Sequence, residues 1–115
     1  MSYLSVTFST TAESANTRLV YCRAWNGATQ VTGRMVWEPY IASTATGRPT
    51  GVANTTIAAA LGSQNIFGYV AGKHVQMRSS TDGGLGVQVL CTVVATRYLN
   101  VFIHGVWAQA ALTFA

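Results

Sequence analysis

Hydrophobic and polar residues alternate with a period of two along most of the chain, the spacing of half-buried β-strands rather than of helices. Residues 19–25 are dense in strand formers and run straight into Asn26-Gly27. That dipeptide suits a type I′ turn, whose two central positions both need positive φ, and it predicts that 19–25 pairs with 28–37. Met35-Val36-Trp37 closes the second strand, and Pro39 removes a ladder donor just beyond it. Residues 40–50 turn to Ala, Ser, Thr, Gly and Pro and read as a long surface loop.

Further along, Val52, Thr55, Thr56 and Ile57 prefer strands while Ala58 to Leu61 favour helix, so 51–61 is predicted as a strand with a short helical turn near 57–62, ended by Gly62. Residues 66–70 and 74–78 flank Ala71-Gly72-Lys73 as a second hairpin. On the latter strand Val75 and Met77 share the buried face, and His74, Gln76 and Arg78 the polar one. After the turn signal Asp82-Gly83-Gly84, residues 85–95 form the longest strand candidate. Val87, Val89, Cys91 and Val93 lie on one side of it and a half-apolar set on the other, as expected of a central strand. Residues 97–107 repeat the alternation. The whole is an all-β, single-domain antiparallel sandwich or barrel of about 7–9 short strands. Residues 1–18 form an extended N-terminal strand or arm, and residues 19–115 a single β domain.

Composition narrows what such a domain can do. Half of the residues are hydrophobic and 9% are charged, against roughly 25% in soluble domains. Disorder is excluded, because it needs the opposite balance. The net charge is +4, but the seven cations are dispersed along the chain with no two adjacent, so no phosphate-tracking stripe forms and no dedicated nucleic-acid contact is expected. Glu13, Glu38 and Asp82 are the entire acid supply, which leaves most acid–base catalysis and hard-metal ligation short of parts. The N-terminus shows no signal-peptide pattern, and no apolar run is long enough for a membrane helix.

Candidate chemistry is sparse. His74 or His104 could join Asp82 or Glu38 and a serine in a triad on paper, but no nucleophile-elbow motif supports one. Two histidines and two isolated cysteines lack zinc-site spacing, and Gly83-Gly84-Leu85-Gly86 has no following helix to complete a phosphate cradle. No catalytic residue, metal or cofactor is therefore expected. Cys22 and Cys91 read as buried thiols. The aromatics could instead line a sugar platform, with Trp25 beside Asn26 as the local candidate for a carbohydrate-binding, lectin-like module.

Two resemblances bear on function. Cys22, Trp37 and Cys91 resemble in order and spacing the immunoglobulin pattern, in which the tryptophan packs on an intersheet disulfide; the tyrosine of that family two residues before the second cysteine is Val89 here. The stretch Gly47-Arg48-Pro49-Thr50-Gly51-Val52-Ala53, then Ala58-Ala59-Ala60-Leu61-Gly62 and the apolar-glycine run to Gly72, together with Ala24-Trp25-Asn26-Gly27-Ala28-Thr29, resembles the small β-rich decoration (cement) proteins of tailed-bacteriophage capsids. The second resemblance implies a symmetric homo-oligomer, a trimer for example, that clamps a major capsid protein at the virion surface. Such a protein is made in the host cytoplasm and has no catalytic residues. The same composition would also suit a tail or fibre component. Low charge points the same way, since Lys and Glu normally keep sheet edges apart, and the polar segment Ser9 to Thr17 could order on a neighbour.

Overall fold

The computed structural model describes residues 4–46, 52–70 and 72–115, and within them the chain is all β, without a helix. In chain order the strands are β1 (Leu4–Thr10), β2 (Thr17–Asn26), β3 (Thr29–Gln30), β4 (Val36–Ala42) and β5 (Thr55–Ala60). They continue with β6 (Gln64–Val70), β7 (His74–Arg78), β8 (Leu85–Cys91), β9 (Ala95–Ile103) and β10 (Val106–Phe114). Two antiparallel sheets result. Sheet A has the order β1-β2-β8-β5 with β3 added beside β2, and sheet B has the order β10-β9-β4-β7-β6.

The period-two pattern explains the layering. Val20, Cys22 and Ala24 of β2 and Val87 and Val89 of β8 point inward from sheet A, while Trp37 and Ile41 of β4 and Leu99, Val101 and Ile103 of β9 point inward from sheet B. Trp37 is the largest of them, fully buried, and its indole N–H finds no acceptor among the described residues. The predicted Val75 and Met77 face is buried as expected, and β8 is central in its sheet, between β2 and β5. The β8 strand stops at Cys91, so Val93 lies beyond it and is exposed.

Several expectations are corrected. Among the described residues there are ten strands rather than seven to nine, partly because residues 97–107 do not form one strand. His104 and Gly105 both take positive φ (46° and 78°) between Ile103 and Val106, which pair, so the type I′ turn falls there and splits the segment into β9 and β10. At Asn26-Gly27 the turn is shifted by one residue. Asn26 pairs with Thr29, leaving Gly27 (φ 64°) and Ala28 as the loop, and a single positive φ at the first central position is the type II′ arrangement. Only Thr29 and Gln30 continue the hairpin, and Val36–Ala42 crosses to the other sheet.

The helical turn near 57–62 does not form. Residues 55–60 pair with β8 throughout, and Leu61 and Gly62 make the turn that follows with φ of 54° and 86°, because sheet pairing overrides the weak helix preference of three alanines. Tyr40 to Ala42, expected in a loop, complete β4, and Pro39 sits inside that central strand. The ladder with β9 runs through Glu38 and Pro39, whereas on the β7 side the paired residues are Val36, Trp37 and Tyr40. The missing N–H thus coincides with the side on which pairing skips. Of the strand or arm expected over residues 1–18, the described part Leu4–Thr10 is a strand that pairs with β2 over its full length. Arg18 donates to the carbonyls of Thr11 and Thr113, and the backbone N–H of Ala115 donates to Glu13. The Gly47–Gly51 part of the capsid-protein resemblance and Ala71 of the predicted 71–73 connection lie outside the described residues.

The immunoglobulin-like pairing is also corrected. Cys22 and Cys91 are free, buried and in the same sheet. Cys22 faces Leu85 at one end of the β2–β8 ladder while Leu90, next to Cys91, faces Thr17 at the other. At about 3.3 Å per residue this separates them by roughly 20 Å, far beyond the roughly 7 Å that a disulfide can bridge. Burial pushes the Cys22 thiol up to about 12.

Candidate functional site: an aromatic strip across sheet B

The outward face of sheet B gathers side chains that the sequence scatters over seventy positions. On β9 the inward set leaves Tyr98, Asn100 and Phe102 on the other face. Phe102 lies between Glu38 of β4 and Trp107 of β10, and Asn100 between Tyr40 of β4 and Gln109 of β10. Tyr40 in turn faces His74 of β7. Antiparallel register therefore sets two transverse rows side by side. One contains Trp107, Phe102 and Glu38, the other Gln109, Asn100, Tyr40 and His74.

Rings touch nearly all the way across. Phe67 and Tyr69 of β6 meet edge to face at 5.1 Å, Tyr69 lies 4.8 Å from the His74 ring, His74 lies 5.5 Å from Tyr40, and Tyr40 stacks on Phe102 at 5.9 Å with 21° between planes. The strip stays open to solvent, with Phe67 58%, Tyr69 51% and Trp107 49% exposed. Cross-strand aromatic pairs of this kind add about 0.2–1 kcal/mol each to a sheet.

Beneath the strip the polar groups are tied down. Asn100 is only 1% exposed, although it sits on the outward face. Its side-chain oxygen accepts from the Trp107 indole N–H at 3.1 Å and from Gln109 at 2.9 Å, and its amide donates to the Tyr98 carbonyl. Gln109 also donates to the Ala45 carbonyl. Each of these bonds fixes a ring or its support, so Trp107 is half exposed yet anchored. Glu38 sits 2.9 Å from His74 Nε2, a pairing that sequence spacing had not suggested because 36 positions separate the two. No serine, threonine or cysteine hydroxyl or thiol bonds to His74 among the described residues. His104 lies far along the chain in the exposed β9–β10 turn.

The residues singled out for sugar contact, Trp25 and Asn26, are not on this strip. Trp25 occupies the outward face of sheet A, half-buried, with its indole N–H donating to Thr7, and Asn26 is exposed at the end of β2. Nearby, Asp82 organises a polar knot. It accepts hydrogen bonds from Ser80, Tyr21 and the Gly84 backbone, and Arg23 stands 3.6 Å away over the Tyr21 ring. Those bonds, the one from Ser80 foremost, hold the Asp82 carboxyl down to about 2. Burial first, and then the hydrogen bond to Asp82, raises the Tyr21 phenol. The knot closes the Asp82-Gly83-Gly84 turn that the sequence predicted.

Charge is distributed unevenly over the strands. The four strands that end the sheets, β1, β5, β6 and β10, contain no Asp, Glu, Lys, Arg, His or Pro. Two of these edges are partly occupied. Ile57 of β5 donates to the Gly72 carbonyl, and Thr113 of β10 accepts from Arg18. By contrast β6 is exposed from Gln64 through Tyr69.

No family model, curated protein or solved structure matches the chain.

Proposed function

We propose that this is a non-enzymatic structural subunit that joins other protein subunits through its uncharged sheet edges, in an assembly of the kind formed by a decorated virion capsid. The observation that carries the reading is β6, a seven-residue edge strand with no charge and no proline whose Ile66, Phe67 and Tyr69 are each more than half exposed. Monomeric proteins protect such edges with Lys, Pro, shortness or strong bulges. Here two register irregularities, at Asn65/Phe67 and Gly68/Val70, are the sole device of that kind on β6. A strand added to this edge pairs its backbone in the plane of sheet B, and the partner gains a row of donors and acceptors together with apolar side chains. A major capsid protein and a second copy of the chain are both partners of that type, and a tail or fibre would use the same edge.

Sedimentation over a range of concentrations tests the edge. The expected result is reversible self-association that Ile66→Lys reduces to monomer while the fold is kept. A monomer at every concentration, with the chain also missing from purified particles by mass spectrometry, would overturn the reading.

A further inference from the structure

Edge pairing leaves the broad face of sheet B uncovered, and that face carries a second assignment, independent of the first. We infer that the strip formed by Trp107, Phe102 and Tyr40, with Glu38 at its margin, is a binding platform for a neutral polysaccharide chain. At about 4.8 Å per strand, these residues on β10, β9 and β4 span roughly 10 Å, and the rings of His74, Tyr69 and Phe67 continue the strip over five strands to roughly 19 Å. No cavity interrupts it among the described residues. A flat, elongated surface suits a chain lying across the strands better than a single small molecule, which needs a concave site.

The side-chain chemistry fits sugars. Aromatic faces carry negative π density, which attracts the C–H groups on the apolar face of a pyranose ring. The Glu38 carboxylate is an acceptor-only group with room for two hydroxyl donors. It is partly exposed and held in place by His74. Trp107 is tethered by Asn100, and Tyr40 is held between Phe102 and His74. Rings already fixed in the unbound protein lose little side-chain freedom on binding, which favours affinity.

Charge separates a sugar from the other polymer that stacks on aromatic strips. A single-stranded nucleic acid needs cations that track its backbone. On this strip the Glu38 carboxylate is paired with His74, and at its margin Arg78 hydrogen-bonds to the neutral side chain of Gln64 and keeps its charge. A phosphate chain laid along the rings would meet the Glu38 carboxylate and, at one margin, the single cation Arg78, short of the row of cations that tracks a nucleic-acid backbone.

Affinity gel electrophoresis of the full chain through embedded β-glucan, xylan, mannan and galactan, with single-stranded DNA as the anionic comparison, tests the assignment. Retardation is expected in at least one neutral polysaccharide and not with DNA. Trp107→Ala should weaken it at least tenfold and Tyr40→Ala several-fold, while Trp25→Ala, on the other sheet, leaves it unchanged. Thermal melts confirm that each variant is folded, and Trp107→Phe, which keeps a ring, should retain part of the binding. No retardation in any neutral polysaccharide, equal retardation of Trp107→Ala and the parent, or preferential binding of DNA would each overturn the assignment. Trp107→Ala should sediment like the parent, so failure here and failure of the edge-pairing reading are separately visible.

Discussion

Replacing Gly86 by alanine should cost this domain a large part of its stability, for a reason visible in one turn. Gly86 lies on central strand β8, opposite Tyr21 on β2 and Ala60 on β5. The chain leaving β5 folds back over it through Leu61 and Gly62, and Ser63 Oγ accepts the Gly86 N–H at 2.9 Å. A methyl group at this position would press onto the Ala60 carbonyl oxygen and stand 2.6 Å from Leu61 Cβ and 2.8 Å from the Ala60 carbonyl carbon, where carbon atoms prefer about 3.5–4.0 Å. The obstructing atoms belong to backbone and to a Cβ, so no flexible side-chain end can swing aside. Overpacking of this type costs about 1–3 kcal/mol, and displacing the turn also breaks the Ser63 hydrogen bond, a further ~1 kcal/mol. The sum is about 2–4 kcal/mol. At about 4 °C per kcal/mol for a domain of this length, Tm should fall by roughly 8–16 °C. Circular dichroism melts of Gly86→Ala beside Gln88→Ala, an exposed neighbour on the same strand, provide the assay. The Gln88 variant should stay within about 0.5 kcal/mol of the parent. A Gly86→Ala protein melting within about 2 °C of the parent would refute the claim that the β5–β6 turn is packed onto β8.

Two further outcomes follow from the polar knot and the thiols. The Asp82 carboxyl is held down to about 2 in the folded chain, against about 3.9 when unfolded. Its contribution is therefore complete above pH ~4 and is lost as pH falls toward 2. The stability gap between the parent and Asp82→Asn, measured by denaturant melts, should close across that window, and a gap that stays constant from pH 6 to pH 2 would contradict the assignment. Cys22 and Cys91 are almost wholly buried, so a thiol reagent should label both only under denaturing conditions, and non-reduced mass spectrometry should show both thiols free. Rapid labelling of either in native buffer would be inconsistent with their placement.

Much of the architecture is written in local pattern, because a strand that buries one face must alternate. That is why the Val75 and Met77 face, the central position of β8 and the Asp82-Gly83-Gly84 turn are all legible in the sequence. Turn identity is less so. Asn26-Gly27 carries the better I′ dipeptide, yet the I′ geometry falls at His104-Gly105, where Ile103 and Val106 pair and demand it. Pro39 misleads for a related reason. It marks a strand end only if both ladder neighbours need its N–H, and the pairing of β4 with β7 passes over that position. The aromatic strip is the least legible feature. Its rings come from residues 40, 67, 69, 74, 102 and 107, and what unites them is strand order and register, which no local spacing encodes. The one available clue was alternation itself, since Tyr98, Asn100 and Phe102 oppose the buried set on β9. Strand order decided which neighbours they met.

The three tryptophans, set in three different places, make the protein its own optical instrument. Trp37 is sealed in the core, Trp25 lies on the face of sheet A and Trp107 on the face of sheet B. Emission from Trp37 should be blue-shifted and shielded from acrylamide, whereas Trp107 should emit to the red and be readily quenched. A single spectrum then reports separately on whether the sandwich is folded and whether the strip is covered, with no label attached.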